Sequence, residues 1–407
     1  MIERTEYLKQ IRVWREEKVI KVVTGIRRCG KSTLLQQFRD ELLSTGVSPE
    51  QIIFINFEDL EYEDLLNYHR LYEHILERLV PDRFTYIFLD EIQKVDGFEK
   101  VVDSLYIRDM TDIYITGSNA YMLSGELATL LSGRYVEISM LPLSFAEYYE
   151  LHRGDPDGVF MEYMHTGGFP YIAQMDTSKE RAGMYLEGIY NTIIVKDIEE
   201  RQKRRETDPD RRKVNDLALL KNIARFLSGS VGSLVSIKSI SDYITSSGRR
   251  VSANTITDYV DALVEAFVFY PVERYDIMGK QALKTNQKLY IVDLGIREHL
   301  ISRRSYDLGF SLENIVFLEL MRRGYQVNIG KLGAGEVDFV AWKDSRLHYY
   351  QVTASLMDES TFDREIAPFR KIHDNYPKTI LTLDRFTLGS YDGFEAVNAV
   401  DWLLDTP

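Results

Sequence analysis

The sequence predicts an α/β protein. Residues 1–142 form a parallel sheet sandwiched between helices. A helical segment follows at 143–200, then a small helix-and-hairpin module at 214–295 and a second, smaller α/β module at 308–407. Three observations carry this reading. Short, β-rich and almost continuously apolar runs alternate with amphipathic stretches at the start, the pattern of strands covered on both faces. A glycine-bearing loop, Gly25–Ser32, sits where the first strand gives way to the first helix. After Pro142 helical periodicity takes over, and β-rich runs return only towards the C-terminal end. At 407 residues the chain is long for one hydrophobic core.

The first five strands are expected at Val19–Thr24, Ile52–Asn56, Tyr86–Asp90, Ile113–Thr116 and Tyr135–Ile138, with an amphipathic helix running from Leu34 through Leu43. Residues 145–195 read as mostly helical, broken at Gly167-Gly168-Phe169-Pro170. The charged stretch Asp197–Lys213 reads as a solvated linker or helix end. Helices follow at about 216–227, 236–246 and 252–265, with Ser252 or Asn254 as N-cap of the third. Strand-like segments at 267–274 and 288–292 enclose a tip at Met278-Gly279-Lys280. In the last module a helix carrying Leu312, Ile315, Val316, Leu318, Leu320 and Met321 stops at Gly324, where glycine suits a helix C-terminus. Strands are expected at 326–329, 337–342, 347–352 and 379–383.

Composition narrows the function classes. Lys and Arg number 50 against 63 Asp and Glu, a formal net charge of −13, so a nucleic-acid surface would have to be a local basic patch. The single cysteine, Cys29, excludes an intrachain disulfide and fits a cytoplasmic setting. The first residues lack the apolar core of a signal peptide, and no apolar run approaches a membrane span. The seven histidines form no zinc-type grouping.

Gly25-Ile26-Arg27-Arg28-Cys29-Gly30-Lys31-Ser32 satisfies G-x-x-x-x-G-K-[ST] between a strand and a helix. Backbone N–H groups of such a loop wrap phosphate, and the helix N-terminus adds a field that favours anions. Lys31 is expected at the β- and γ-phosphates and Ser32 on Mg²⁺, so the expected ligands are ATP and Mg²⁺. Asp90 and Glu91 end an apolar strand: Asp90 is the second candidate for holding Mg²⁺, and Glu91 the candidate to activate the attacking water. Ser118 or Asn119, after the next strand, is a candidate contact to the γ-phosphate or the water. A plain polar turn is the alternative there. Arg134, before the fifth strand, is a candidate arginine finger acting in its own chain or on a neighbouring subunit, with a structural ion pair as the alternative. Cys29, at a helix start, is either an oxidisable thiol of lowered pKa or a small loop residue.

Gly25–Leu34, Leu89-Asp90-Glu91-Ile92-Gln93, Thr116–Asn119, Gly133-Arg134 with Leu141–Phe145, and Gly167–Pro170 together resemble the archaeal-type ATPases of the AAA+ superfamily over nearly the whole chain. The resemblance implies five parallel strands with the first between the fourth and fifth, and a nucleotide-binding loop of Gly25–Ser32 with Thr33. It also implies a turn near the nucleotide, matched here by Phe169 and Pro170.

Residues 216–292 look like a winged helix, which allows DNA contact through Arg249, Arg250, Asn254, Thr255 and Thr257, with Lys280 and Lys284 in the wing. Asp258, Asp261 and Glu265 dilute that charge, and a purely protein-packing role stays open. The last module resembles the PD-(D/E)xK nuclease-like fold. Glu319 stands on its leading helix, Glu336 and Asp338 on a strand, and Gln351-Val352-Thr353 where an acid, one residue and a lysine are the rule. Gln351 is neutral and Thr353 supplies no cation, so the resemblance implies a degenerate second site at Glu319, Asp338 and Gln351. Three functions stay open: an ATPase or ATP-driven switch, an ATP-regulated DNA-binding or DNA-processing protein, and a non-catalytic nucleotide-dependent signalling protein. Each allows a protein partner or a homo-oligomer.

Overall fold

The structure, a computed structural model, describes residues 2–117, 131, 133–175, 179–192, 216–246, 248–301, 308–333 and 335–405. The charged stretch at 197–213 lies outside the described residues. The chain divides into two compact units, Met1–Pro142 with Glu265–Phe267, and Leu143–Val264 with Val268–Pro407.

In the first unit α1 (Thr5–Val13) precedes β1 (Ile20–Thr24), α2 (Lys31–Ser44), β2 (Ile52–Asn56), α3 (Tyr68–Leu76), β3 (Thr85–Asp90), α4 (Phe98–Ile107), β4 (Thr111–Thr116) and β5 (Tyr135–Ser139). Among the described residues these strands form one parallel sheet in the order β2-β3-β4-β1-β5. This is the expected α/β architecture, with the first strand between the fourth and fifth. Every residue of β1, β3 and β4 is buried, which is why their sequences read as continuous apolar runs. Edge strand β2 alternates between buried and half-buried positions. The helix α2 buries Leu34, Leu35, Phe38 and Leu42, one stripe at helical spacing, and Phe38 packs on Phe88 and Tyr114.

A buried ion pair sits in this sheet. Lys21 of β1 is fully buried and pairs with the buried Asp112 of β4. Its ammonium also donates to the Glu17 carbonyl at 2.9 Å, and the Tyr114 hydroxyl donates to Asp112 at 2.7 Å. Burial pulls the Lys21 pKa below its ordinary value, with Asp112 opposing.

The second unit opens with α5 (Phe145–Leu151), α6 (Pro156–Thr166), the short α7 (Pro170–Ala173) and α8 (Lys179–Thr192). Ser144 and Glu147 close a capping box on α5, and Asp155 with Pro156 starts α6. Then come α9 (Leu217–Gly229), β6 (Leu234–Val235), α10 (Ile237–Ser246), α11 (Ala253–Glu265), β7 (Phe269–Asp276), β8 (Gln281–Ile291) and α12 (Leu294–Ile301). The final run is α13 (Leu308–Arg322), β9 (Gln326–Leu332), β10 (Gly335–Lys343), β11 (Arg346–Thr353), α14 (Glu359–Arg370), β12 (Lys378–Thr382), β13 (Gly389–Tyr391), β14 (Phe394–Asn398) and α15 (Ala399–Leu404).

The strands of 214–295 and of 308–407 do not make separate sheets. Among the described residues they join in one sheet, β13-β14-β12-β11-β10-β9-β7-β8-β6, through parallel pairing of Arg274 with Ile329 and its neighbours. Gly167 and Gly168 pack against Asp293, whose carboxylate accepts the Gly168 N–H at 2.6 Å and the Ile296 N–H at 3.2 Å. A Cβ at Gly167 would lie 2.2 Å from that carboxylate, which is why the break before Phe169 uses glycine. Among the described residues no helix is long and apolar enough to cross a membrane.

Candidate functional site

The loop between β1 and α2 is built on backbone that only glycine accepts at two points. Gly25 has φ 140°, and a Cβ there would lie 2.1 Å from the Met140 carbonyl oxygen. Gly30, with φ 107°, is the N-cap of α2. Lys31 opens the helix, is buried, and donates from Nζ to the carbonyls of Gly25 at 3.1 Å and Ile26 at 3.2 Å. Ser32 and Thr33 follow on the first turn of α2. Ile26 is buried in the loop, Arg28 is exposed, and Arg27 is tied to Glu58 at 2.7 Å. Cys29 is fully buried, and burial pushes its thiol pKa up, outweighing Lys31 and Arg4. Of the two readings of Cys29, burial fits the small loop residue and not the lowered, oxidisable thiol: with the side chain out of water, the thiolate loses more hydration than the nearby cations return.

Sequence reading missed the brace behind this loop. Arg4, just before α1, is buried and donates to the Cys29 carbonyl at 2.9 Å and the Leu141 carbonyl at 2.8 Å. The Tyr7 hydroxyl accepts the Leu141 N–H at 3.0 Å. No local pattern marks Arg4, because its partners lie 25 and 137 residues away.

Asp90 ends β3 fully buried. Its Oδ1 accepts from the Thr116 hydroxyl at 2.5 Å, while Oδ2 has no hydrogen-bond partner. Burial raises the carboxyl pKa, with the Thr116 and Ser32 hydroxyls and Lys31 pulling the other way and Glu91 adding to the rise. An orphaned buried carboxylate oxygen near the Ser32 hydroxyl is a hard-oxygen donor set, and this fits Mg²⁺, which takes one or two protein oxygens and completes its shell with phosphate and water.

Glu91 adopts a left-handed backbone, φ 56°, held by its N–H to the Thr116 hydroxyl at 2.9 Å. That conformation costs a non-glycine residue roughly 1–3 kcal/mol and collects at functional sites. Gln93, on the turn that follows, donates to Glu91 Oε2 at 2.5 Å. Thr116 and Gln93 were further misses: Thr116 is an ordinary polar residue until the sheet brings it to the two acids, and Gln93, two residues after Glu91, meets it through the local turn.

Ser118 and Asn119 lie outside the described residues. Arg134 stands at the opposite end of the sheet from the loop: its carbonyl accepts the N–H of Ile20, the first residue of β1, whereas Gly25 follows the last. Five strand residues separate the two ends, roughly 16 Å at strand rise. Its guanidinium lies 3.8 Å from Asp103 and over the Tyr106 ring. Action on the nucleotide of its own chain is thus corrected by distance. Phe169 is buried and Pro170 opens α7.

At the second expected site Asp338 and Gln351 line a cavity of about 600 Å³ with Glu313, Glu336, Glu365 and Lys371. Gln351 accepts from the Asp338 N–H at 3.3 Å and donates to Glu365 at 2.7 Å. Glu319 does not line it; its carboxylate is held by Arg322 at 2.6 Å and Arg323 at 2.8 Å. Glu313 takes that position instead. The two glutamates are six residues apart on α13, about 240° around the helix, so they face different ways.

Comparison with known proteins gives the following likenesses. Residues 17–149 match the AAA domain family, and residues 158–307 match a domain of unknown function, DUF8612. An uncharacterized protein of Haemophilus influenzae is 41% identical over 410 residues, covering 99% of both chains. An uncharacterized protein of Methanocaldococcus jannaschii is 30% identical over 407 residues, covering 94% of this chain and 85% of its own. Among solved structures, a Walker-type ATPase of Pyrococcus abyssi superposes with a TM-score of 0.50 at 16% identity, over 74% of this chain and 96% of that one, a likeness of fold.

Proposed function

The chain belongs to one family with the Haemophilus influenzae and Methanocaldococcus jannaschii proteins and carries an AAA domain, and from that premise we propose that it is a Mg²⁺-dependent ATP hydrolase working as a molecular switch. The observation that supports this most directly is the pair of acids at the end of β3: Asp90, with one buried oxygen unpartnered, beside Glu91, held in a strained left-handed turn.

In this reading the backbone N–H groups of Gly25–Ser32 bind the phosphates, and Lys31 exchanges its two loop carbonyls for the β- and γ-phosphate oxygens. Ser32 and Asp90 would hold Mg²⁺, which when bound neutralises charge developing on the phosphates. Glu91 takes a proton from the attacking water. The water oxygen forms a bond to the γ-phosphorus as the bond to the β,γ-bridging oxygen breaks, releasing ADP and phosphate. Gln93 holds Glu91 Oε2 and so fixes the orientation of the carboxylate that meets the water. Ser118 or Asn119 would sense the γ-phosphate, and Arg134 would act on the nucleotide of a neighbouring copy.

Turnover of ATP by the wild type, Lys31→Ala and Glu91→Gln tests the reading. Lys31→Ala is expected to lose binding. Glu91→Gln is expected to bind ATP with near wild-type affinity and to lose about 100-fold or more in turnover. A wild type that neither binds nor hydrolyses ATP with Mg²⁺ would falsify it.

A second reading, engagement of DNA, draws on the order α9-β6-α10-α11-β7-β8, which is that of a winged helix, and on the exposure of Arg250 and of Lys280 at the hairpin tip. Arg249 is paired with Asp216, and Thr257 bonds the Ala253 carbonyl, which removes part of the expected surface. Salt-dependent binding of duplex DNA, weakened by Arg250→Ala with Lys280→Ala, is the expected result. Binding indifferent to salt and to both substitutions would overturn it.

A further inference from the structure

Lys288 reaches from β8 towards α13 and β10 and is 3% exposed. Its Nζ lies 3.0 Å from Glu313 and 2.6 Å from Glu336, and the charge of Asp338 also acts on it. Burial pulls the Lys288 ammonium down, but Glu313, Asp338 and Glu336 outweigh it and hold its pKa above the ordinary lysine value. The remaining contacts of the cluster are polar and specific. The Tyr290 hydroxyl donates to Glu313 at 2.6 Å, and Asp338 Oδ2 accepts the Val352 N–H at 2.8 Å. Glu365 is taken up by Gln351 and Arg364.

Three carboxylates of one acidic cluster, largely withdrawn from water, repel one another and need a cation among them. Oxygen donors of this kind suit a hard divalent ion. Here the cation is already covalently attached: an ammonium on strand β8 sits at hydrogen-bond distance from two of the carboxylates, behind the cavity that Glu313, Glu336 and Asp338 line. The neutral side chains of Gln351 and Thr353 on the same wall add no charge that a metal would balance.

We propose that the Lys288 ammonium occupies the place of a divalent cation in the Glu313–Glu336–Asp338 cluster, so that this cavity carries its own counter-cation and takes no metal. The lysine comes from the hairpin module and the carboxylates from the last module, so the same contact pins the two together. The inference is independent of the nucleotide site.

Uptake of Mn²⁺ by the full chain without nucleotide, read from the paramagnetic resonance of the free ion, tests it. Wild type and Glu336→Gln are expected to take up the same amount. Lys288→Ala is expected to take up one further equivalent, at least tenfold more tightly than any wild-type binding at this cavity. That equivalent is expected to disappear in Lys288→Ala/Asp338→Asn. Melting in chelator should be lowered by Lys288→Ala and restored by Mn²⁺, which leaves the wild type unmoved. Loss of a bound equivalent from the wild type on Glu336→Gln overturns the proposal, as does a folded Lys288→Ala that binds no more than wild type. If Lys288→Ala does not fold in chelator, recovery of its folded circular dichroism on adding Mn²⁺ supports the proposal, and failure to recover counts against it.

Discussion

Asp90 carries two demands that pull against each other. Its burial at the end of β3 raises its pKa, so the charged form costs more in the folded, nucleotide-free protein than in the unfolded chain. The sign follows from linkage: with the folded value above the unfolded one, the group favours folding below the ordinary aspartate range, and that contribution is lost as pH rises through the raised value. Asp90→Asn is therefore expected to stabilise the nucleotide-free protein at neutral pH, by on the order of 1 kcal/mol, measured by urea denaturation. The wild type is expected to melt higher with ATP and Mg²⁺, and the same variant to lose that rise. A variant less stable than wild type without nucleotide would contradict this. Glu91 illustrates the same exchange of stability for function through its backbone: the Thr116 hydroxyl satisfies its N–H, and the left-handed turn presents the side chain beside Asp90.

At the scale of elements, the loop is held from behind as well as by its glycines. The helix α1 begins beside Arg4, whose guanidinium ties the loop at Cys29 to the segment after β5 at Leu141. Arg4→Ala leaves the Cys29, Leu141 and Pro142 carbonyls without their charged donor and opens space where a large side chain was buried. It should cost about 2–4 kcal/mol in stability and raise the Kd for ATP; Arg4→Lys, a point charge without the fork, should recover only part of either. Equal affinity for ATP in Arg4→Ala would show that the brace serves the fold and not the loop. Element direction also separates the roles of the charged residues in the sheet unit. Parallel strands gather Gly25, Asp90 and Thr116 at their carboxyl ends, whereas Arg134 precedes β5 and falls at the other end.

At the scale of the molecule, the shared sheet changes what counts as a module. The β7–β8 hairpin pairs with β9, and Lys288 of the hairpin is buried against Glu313 and Glu336 beyond it. Residues 216–301 and 308–405 are thus expected to unfold together, because separating them would expose a strand edge and strand buried charges. Hydrogen exchange should show the amides of β7, β8, β9 and β10 opening with one common free energy. Exchange of β7 and β8 well before β9 and β10 would show that they are separable. With a net charge of −13 the whole chain carries no general attraction for polyanions, so DNA engagement would fall to local cations such as Arg250 and Lys280.

The parallel-sheet unit, its strand positions, the loop Gly25–Ser32 and the pairing of Asp90 with Glu91 were legible in the amino-acid sequence. These are local patterns: continuous apolar runs, a glycine spacing tied to backbone that a Cβ would block, and two acids ending a strand. The tertiary structure set what depends on how the elements pack. It brought Arg4 behind the loop and Thr116 to the acids. It buried Cys29, so that its thiol pKa rises. It turned Glu319 towards two arginines and gave Glu313 to the cavity, a matter of which way a helix faces once packed. It also supplied Lys288 from a strand outside the expected second site, a cation that no reading of the local motif contained, because charge in a protein interior is balanced by whatever the fold brings within reach.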